Sequence, residues 1–202
     1  MAQIEHLWLA LLWALYLGTH SLLASNPAKE ALTRVMGKGF RWYRLIYSIV
    51  ASLGLAAVGL YSATLPAALL WPFQPVARWA GMLAATGGVI ILRQTFRHYS
   101  TSQFLGLRGT SDDDNNTLHR AGILNHLRHP IYAGTILLVI GYFLFAPTFT
   151  NLVTALCIFI YLPLGIYWEE KKLLARFGDD YRKYKQEVPA IFPRINPMKS
   201  IK

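Results

Sequence analysis

Two short polar clusters stand at the ends of a long run without charge. Asn125, His126, Arg128 and His129, followed by Pro130, come before it, and Glu169 and Glu170 come after it; from Pro130 to Trp168 there is no Asp, Glu, Lys or Arg. These residue types bind ligands and move protons. Arg128 offers a rigid fork of donors suited to a carboxylate or phosphate. His126 and His129 can hold or pass a proton near neutral pH. Glu169 and Glu170 border hydrocarbon, where an unpaired carboxylate is costly and usually serves a function. Spaced three apart, His126 and His129 would suit a metal on one helical face. However, no Cys lies near them and Pro130 disfavours helical geometry at His129, so no metal is expected. Both clusters also admit a plain reading, as interfacial side chains that snorkel to water.

The elements that must position these clusters follow from composition. The chain has 202 residues, 54% of them hydrophobic and 15% charged, which is the profile of an integral membrane protein rather than a soluble domain. A crossing helix needs roughly 20 apolar residues to cover about 30 Å of hydrocarbon. The stretch between Glu5 and Lys29 supplies one. "LIYSIVASLGLAAVGLYSATL" supplies a second and "VARWAGMLAATGGVIILRQTF" a third, with "LPAALLWPFQP" between them as a loop or re-entrant turn. The charge-free run after Pro130 carries the turn signal "PTFTN", which divides it into a hairpin of two further spans. The expected fold is therefore all-α and polytopic, with about five transmembrane helices. It forms one domain, residues 1–202: three spans in 1–97, a loop in 98–129, the helical hairpin in 130–168, and a C-terminal segment in 169–202.

Charge sets the expected orientation. Of the 20 Lys and Arg, all but Arg78 fall in segments that this pattern puts on one side. The positive-inside rule places that side in the cytoplasm of an inner-type membrane, with the N-terminus outside. The net charge of +10 then reflects attraction to anionic lipid head groups, and no nucleic-acid partner is implied. "MAQIEHLW" lacks the basic start of a cleaved signal, so the first span is expected to be retained. Cys157 is the only cysteine; within an apolar span it reads as packing. "DDDNN", Asp112 to Asn116, reads as a solvated loop.

After Trp168, Leu173, Leu174, Phe177, Tyr181 and Tyr184 recur at helical spacing, with Lys171, Lys172, Arg176, Arg182 and Lys183 between them. That pattern predicts an amphipathic cytoplasmic helix that lies on the membrane or folds back on the spans. Pro163 removes a backbone donor and is expected to kink the fifth span, opening a cavity above Glu169.

"GILNHLRHPIYAG" followed by "EEKKLLARFGDDYRKYKQEVPAIFP" resembles the membrane-embedded methyltransferase superfamily that includes the isoprenylcysteine carboxyl methyltransferases and the phospholipid methyltransferases. The shared pattern is Arg-His-Pro-x-Tyr-x-Gly where a span begins and Glu-Glu where the next ends, then Phe-Gly-x-x-Tyr-x-x-Tyr and Val-Pro. All of it is present between Leu118 and Pro193. The N-terminal half, "THSLLASNPAK" leading to "RWYRLIYSIVASLGL", together with "QFLGLRG", is more similar to the branch that contains methanethiol S-methyltransferase and NnrU-like membrane proteins.

The resemblance implies a methyltransferase that uses S-adenosylmethionine (SAM), held in a cytoplasm-facing pocket closed by the C-terminal segment. Carried over by position, the cofactor contacts are His129, Pro130, Ile131, Tyr132 and Glu169, and more loosely Thr117, Leu118 and His119, with Gln103 a weaker candidate. Arg128, His129 and the amides near Pro130 would hold the SAM carboxylate, Glu169 its ammonium or ribose, and Tyr132 would offer a ring face or hydroxyl. Arg128 and His126 are the catalytic candidates, with His126 or His119 as base. The prenyl-cysteine enzymes carry an Arg where this chain has Gly165, which disfavours a carboxyl acceptor. A small hydrophobic thiol entering from the bilayer is favoured over a carboxyl group or lipid amine, because a thiol, with a reference pKa of about 8.5, needs only a modest shift to ionise. Two other readings stay open: a non-enzymatic transport or assembly factor, and a nicotinamide-dependent membrane reductase.

Overall fold

The computed structural model describes residues 2–97, 118 and 120–193. Among these, the chain is helical, in the order α1 (Ala2–Ala24), α2 (Asn26–Met36), a 3-10 turn (Gly37–Trp42), α3 (Tyr43–Thr64), α4 (Pro75–Arg97), a second 3-10 turn (Gly122–Asn125), α5 (Pro130–Phe145) and α6 (Phe149–Glu187). Among the described residues, four stretches are long and apolar enough to cross a membrane: Gln3–Ala24, Asn26–Thr64, Pro75–Arg97 and Phe149–Glu187. The fourth expected span, Pro130–Phe145, is apolar but has only 16 residues, about 24 Å of helix, somewhat under a full bilayer core. Large apolar side chains such as Leu15, Leu53, Leu60, Leu83 and Ile160 point outward, as lipid-facing positions must.

Lipid is as apolar as leucine, so helices in a bilayer associate through close packing and interhelical hydrogen bonds, the latter averaging about 0.6 kcal/mol each. This chain uses both means. At the α4–α5 contact, a Cβ added at Gly81 would stand 2.6 Å from the Gly141 carbonyl oxygen, and one added at Gly88 would stand 2.7 Å from that of Gly134. The two backbones therefore touch, which the sequence signals only as glycines seven apart on each helix.

A ladder of polar bonds joins α1 to α6 in parallel. His6 meets Thr150 at 3.1 Å, Trp13 Nε1 donates to Thr154 at 3.2 Å, and Ser21 meets Tyr161 at 2.5 Å. Leu9, Trp13 and Val58 form the buried cluster between α1 and α3, with Cys157 packed at its edge.

Short signals set the boundaries. Ser25 caps α2 by accepting from the Ala28 amide, with Pro27 in the first turn. The Pro-rich loop after α3 docks on the α5–α6 turn. There the Leu70 amide donates to Pro147 O and the Phe149 amide to Ala68 O, and Thr148 caps α6. At that end Arg78, the one cation outside the basic segments, stacks over Phe73 and Phe145.

At the opposite, basic end the structure departs from expectation. Pro163 keeps helical backbone angles within α6, and the break falls at Gly178, whose φ of +51° lies in the left-handed region that glycine tolerates. The basic segment is thus the continuation of α6. Its residues Tyr181, Tyr184 and Val188 are buried, with Leu118, Leu173 and Phe177 packed around them. Leu174 stays exposed.

Candidate functional site

The site grows from the place where α5 begins. Gly122 adopts φ +57°, and the 3-10 turn that it opens delivers residues 127–129, which lie outside any helix, to Pro130. Pro130 opens α5 without a side-chain cap. The chain after α6 clamps this approach through its backbone, since the Arg128 amide donates to Pro189 O and the His129 amide to Ala190 O, both at 2.9 Å. Tyr184 donates to Leu124 O at 2.6 Å, and Arg120 pairs with Glu187 at 2.7 Å. The start of the hairpin and the end of the chain are therefore one structural unit.

Glu170 is its hub. Its Oε1 accepts from Arg128 Nη2 at 2.6 Å and from His129 Nε2 at 3.2 Å, while Oε2 accepts from Lys185 Nζ at 2.5 Å. Arg128 Nη1 also donates to the Lys185 carbonyl. Burial pushes the Glu170 pKa up, but the hydrogen bonds from Lys185 and His129 and the charge of Arg128 outweigh it and hold the carboxyl below the usual glutamate range. Tyr181, beneath this group, is pushed up by burial and by the neighbouring Glu170 charge.

Glu169 has a different environment. Its carboxylate is 45% exposed and stands 3.6 Å from His129 Nδ1, too far for a hydrogen bond. Nε2 of His129 faces Glu170, which leaves Nδ1 turned to the Glu169 carboxylate across this gap without a hydrogen bond. Tyr132 lies beside Glu169, with its ring edge-on to His129 at 5.6 Å. A Cβ at Gly165 would come within 3.0 Å of the Tyr132 hydroxyl, so Gly165 is the seat of that ring. His129 Nδ1, Arg128 Nε and the Tyr181 hydroxyl are buried without a hydrogen-bond partner among the described residues. Such orphaned polar atoms are rare in a finished interior. Unbonded donors from Arg128 and Tyr181 near the Glu169 carboxylate suit a zwitterion that carries both a carboxylate and an ammonium.

Of the residues singled out from sequence, Arg128, His129, Pro130, Tyr132 and Glu169 converge here. Ile131 is exposed on the first turn of α5, and Leu118 packs in the Tyr181 cluster. His126 is not part of this group: it lines a separate cavity of about 620 Å³ with Gln94, Arg97, Gly122 and Ile123. Thr117, His119, Gln103 and the Asp112 to Asn116 loop lie outside the described residues. Sequence reasoning gave Glu169 the leading role and missed Lys185, Tyr181 and the hub position of Glu170. The available signal was the Gly in "FGDDY", where a left-handed residue turns the helix and sends Lys185 back to Glu170.

Residues 8–195 match the family described as NnrU protein. The chain is 30% identical over 196 residues to Methanethiol S-methyltransferase 1 of Bradyrhizobium diazoefficiens, a match that covers 91% of this chain and 65% of that protein. It is 29% identical to the Methanethiol S-methyltransferase of Mycobacterium tuberculosis, over 86% of this chain and 72% of that one. It is also 29% identical to that of Crocosphaera subtropica, over 87% and 70%. The chain thus spans about two thirds of the length of these relatives. No solved structure is significantly similar to it. With its N-terminal motif, its hairpin and its C-terminal clamp all inside the matched range, the chain belongs to the NnrU family of membrane proteins, on the branch that holds the methanethiol S-methyltransferases.

Proposed function

We propose that this protein is an integral membrane methyltransferase that transfers the methyl group of SAM to a small lipophilic thiol. The observation that carries the reading is the set of acceptors and orphaned donors around His129, Glu169 and Arg128 at the mouth of the apolar hairpin. Similarity to proteins named methanethiol S-methyltransferase supports it. In this reading all five apolar helices cross the bilayer, and the basic end faces the cytoplasm, where SAM is made.

The residues present fit the cofactor. Its ammonium would lie between His129 Nδ1 and Glu169, and its carboxylate would take the free Arg128 Nε–H and the unbonded amides at the start of α5, where the helix dipole favours an anion. When bound, SAM supplies a methyl group already activated by its sulfonium. The protein's share is to align the acceptor and to exclude water, and the C-terminal clamp suits both tasks. Arg128 is held by Glu170 and Lys185 rather than by solvent, so it acts as a fixed electrostatic wall and not as a proton donor. Between His129 and Lys171 there is no Lys, Arg or His, so a negatively charged acceptor would be desolvated inside the hairpin without a protein partner.

Calorimetric titration of the purified protein with SAM and with NADPH tests the reading, alongside methyl-tritiated SAM offered with alkyl thiols, a prenyl-cysteine and phosphatidylethanolamine. SAM binding and label on the thiols are expected. NADPH binding without SAM binding would point to a reductase, and binding of neither would point to a non-enzymatic role. Label on the prenyl-cysteine alone would overturn the assignment of the acceptor.

A further inference from the structure

The N-terminal motif "THSLLASNPAK" and its partner "RWYRLIYSIV" take no part in the cofactor site described above, yet the fold brings them together. Near the basic end of α1, the hydroxyl of Tyr47 on α3 stands 3.1 Å from both ring nitrogens of His20. Tyr16 packs against the other side of the imidazole, with ring centroids 5.8 Å apart. Below this pair a cleft of about 340 Å³ runs between α1 and α3, lined by Leu12, Leu15, Leu23, Val50, Ala57 and Val58. No Asp, Glu, Lys or Arg lines it. Leu15, Val50 and Ala57 are exposed, so in a bilayer the cleft opens sideways to the acyl chains.

At the His20 end of the cleft, α1 meets the face of α6 that carries Tyr161. Tyr161, Gly165 and Glu169 stand four apart along one face of α6, and Tyr132 is seated against Gly165. Ser21, next to His20, holds Tyr161 at 2.5 Å. A neutral apolar molecule entering from lipid therefore meets a His–Tyr pair on its way to the cofactor site, and meets no fixed charge before it.

We infer that the α1–α3 cleft admits the thiol acceptor and that His20, set by Tyr47, takes the thiol proton. This rests on the methyltransferase reading. The balance of the step is simple. The S–H bond breaks and its proton goes to a ring nitrogen of His20. The thiolate lone pair forms the new S–CH3 bond. The pair from the broken C–S bond stays on the departing thioether sulfur, and His20 afterwards releases the proton toward the basic end. An alkyl thiol is a weaker acid than imidazolium by about two pKa units or more, and the positive sulfonium nearby favours the thiolate. The charge-free lining explains selection for a neutral acceptor: an ion would lose its hydration in the cleft without compensation. A lipid acyl chain would fit the lining but would have no use for the imidazole.

The experiment has two arms. In a Cys157→Ala background, Val50→Cys in the cleft and Leu60→Cys on the lipid face are treated with methyl methanethiosulfonate, with and without the inert thioether dimethyl sulfide. Protection of several fold at Val50→Cys and none at Leu60→Cys is expected; equal rates would overturn the cleft as the acceptor site. In the second arm, His20→Phe and Tyr47→Phe are assayed with ethanethiol and with thiophenol, whose neutral form can enter and is acidic enough to ionise with little help from a base. Loss of a general base costs about 10²–10⁴-fold, so His20→Phe should lose at least 100-fold in kcat on ethanethiol and under tenfold on thiophenol, with unchanged SAM affinity by calorimetry. Tyr47→Phe should show the same bias more weakly. Equal losses on both thiols would overturn the role of His20. A parent protein that fails to bind SAM would overturn the methyltransferase reading and the base with it, while the protection arm would still decide the cleft.

Discussion

Arg128 Nη2 lies 2.6 Å from Glu170 Oε1, and only 7% and 15% of these two side chains are exposed. The contact ties the residue two before α5 to the second residue after the charge-free part of α6, so both helices of the hairpin are fixed at their basic ends by one ion pair. Cutting such a pair on one side strands the other charge, at about 3–5 kcal/mol when burial is full. Lys185 adds a second cation to the same carboxylate, but it is 54% exposed, and exposed pairs contribute about 0–1 kcal/mol. Glu170→Gln should therefore lower the unfolding temperature in detergent by many degrees and Lys185→Met by few. Equal shifts would mean that the partner on which Glu170 depends is Lys185 and not Arg128.

The same carboxyl makes stability depend on pH. Its folded pKa lies below the ordinary glutamate value of about 4.3, so the folded state gains from the ionised form. That gain is complete above the ordinary value and is lost as pH falls through the folded pKa. The difference in melting temperature between the parent and Glu170→Gln should be constant from about pH 7 to pH 5, and it should shrink as the medium is taken below about pH 4. A difference unchanged down to pH 3 would contradict the depressed pKa.

The α4–α5 contact predicts a contrast among glycines. A Cβ at Gly141 would lie 2.6 Å from the Ala85 amide and from Gly81 O, whereas one at Gly18 would meet nothing within 4 Å. Gly141→Ala must move backbone against backbone, an overpacking cost of about 1–3 kcal/mol. Gly18→Ala should be neutral or stabilising by up to about 1 kcal/mol, because alanine is the better helix former. Chemical denaturation in mixed micelles measures both.

These contrasts show where the sequence could and could not be read. The first three apolar stretches and the turn at "PTFTN" were legible because hydropathy and turn residues act locally, over a single helix or loop. The convergence of Arg128, His129 and Glu169 was legible too, since charged residues at both ends of one hairpin must share a membrane depth. What stayed hidden was non-local. That Gly178 and not Pro163 breaks α6 depends on what the following turn packs against. Proline within a helix removes only one donor, whereas Tyr181 and Tyr184 can bury against Leu118 only if the chain turns at Gly178. The division of labour between Glu169 and Glu170 was hidden for the same reason. Neighbours in sequence point to different sides of the helix, and only the fold shows which side holds Lys185.

That division can be tested directly. Glu169 makes no hydrogen bond with a Lys or Arg among the described residues and is half-exposed, so Glu169→Gln should leave the melting temperature within a degree or two of the parent. If it pairs with the SAM ammonium, the same change should weaken SAM binding by about 1.5–3 kcal/mol, the range for a hydrogen bond to a charged group. Calorimetry beside a melting curve separates the two effects. A loss of stability without a loss of affinity would assign Glu169 to the scaffold and leave the ammonium to another residue.

Gly165 gives the last test. From sequence it marks a missing cation, which suggests that Gly165→Arg would restore carboxyl methylation. The structure argues otherwise, because the space beside Gly165 already holds Tyr132, with its hydroxyl 3.0 Å and its Cε1 3.1 Å from the place of a new Cβ. An arginine there would displace the ring that borders Glu169. If the protein is the proposed methyltransferase, Gly165→Arg should therefore lose SAM affinity and thiol methylation together, without gaining activity on a prenyl-cysteine. Gly165→Ala should cost less, and combining it with Tyr132→Phe should cost less than the sum of the two single changes, since the nearest obstructing atom is gone. Residues in contact commonly show such non-additivity, at about 0.5–3 kcal/mol. Strict additivity, or carboxyl methylation by Gly165→Arg, would show that Tyr132 does not occupy this space in the functional protein.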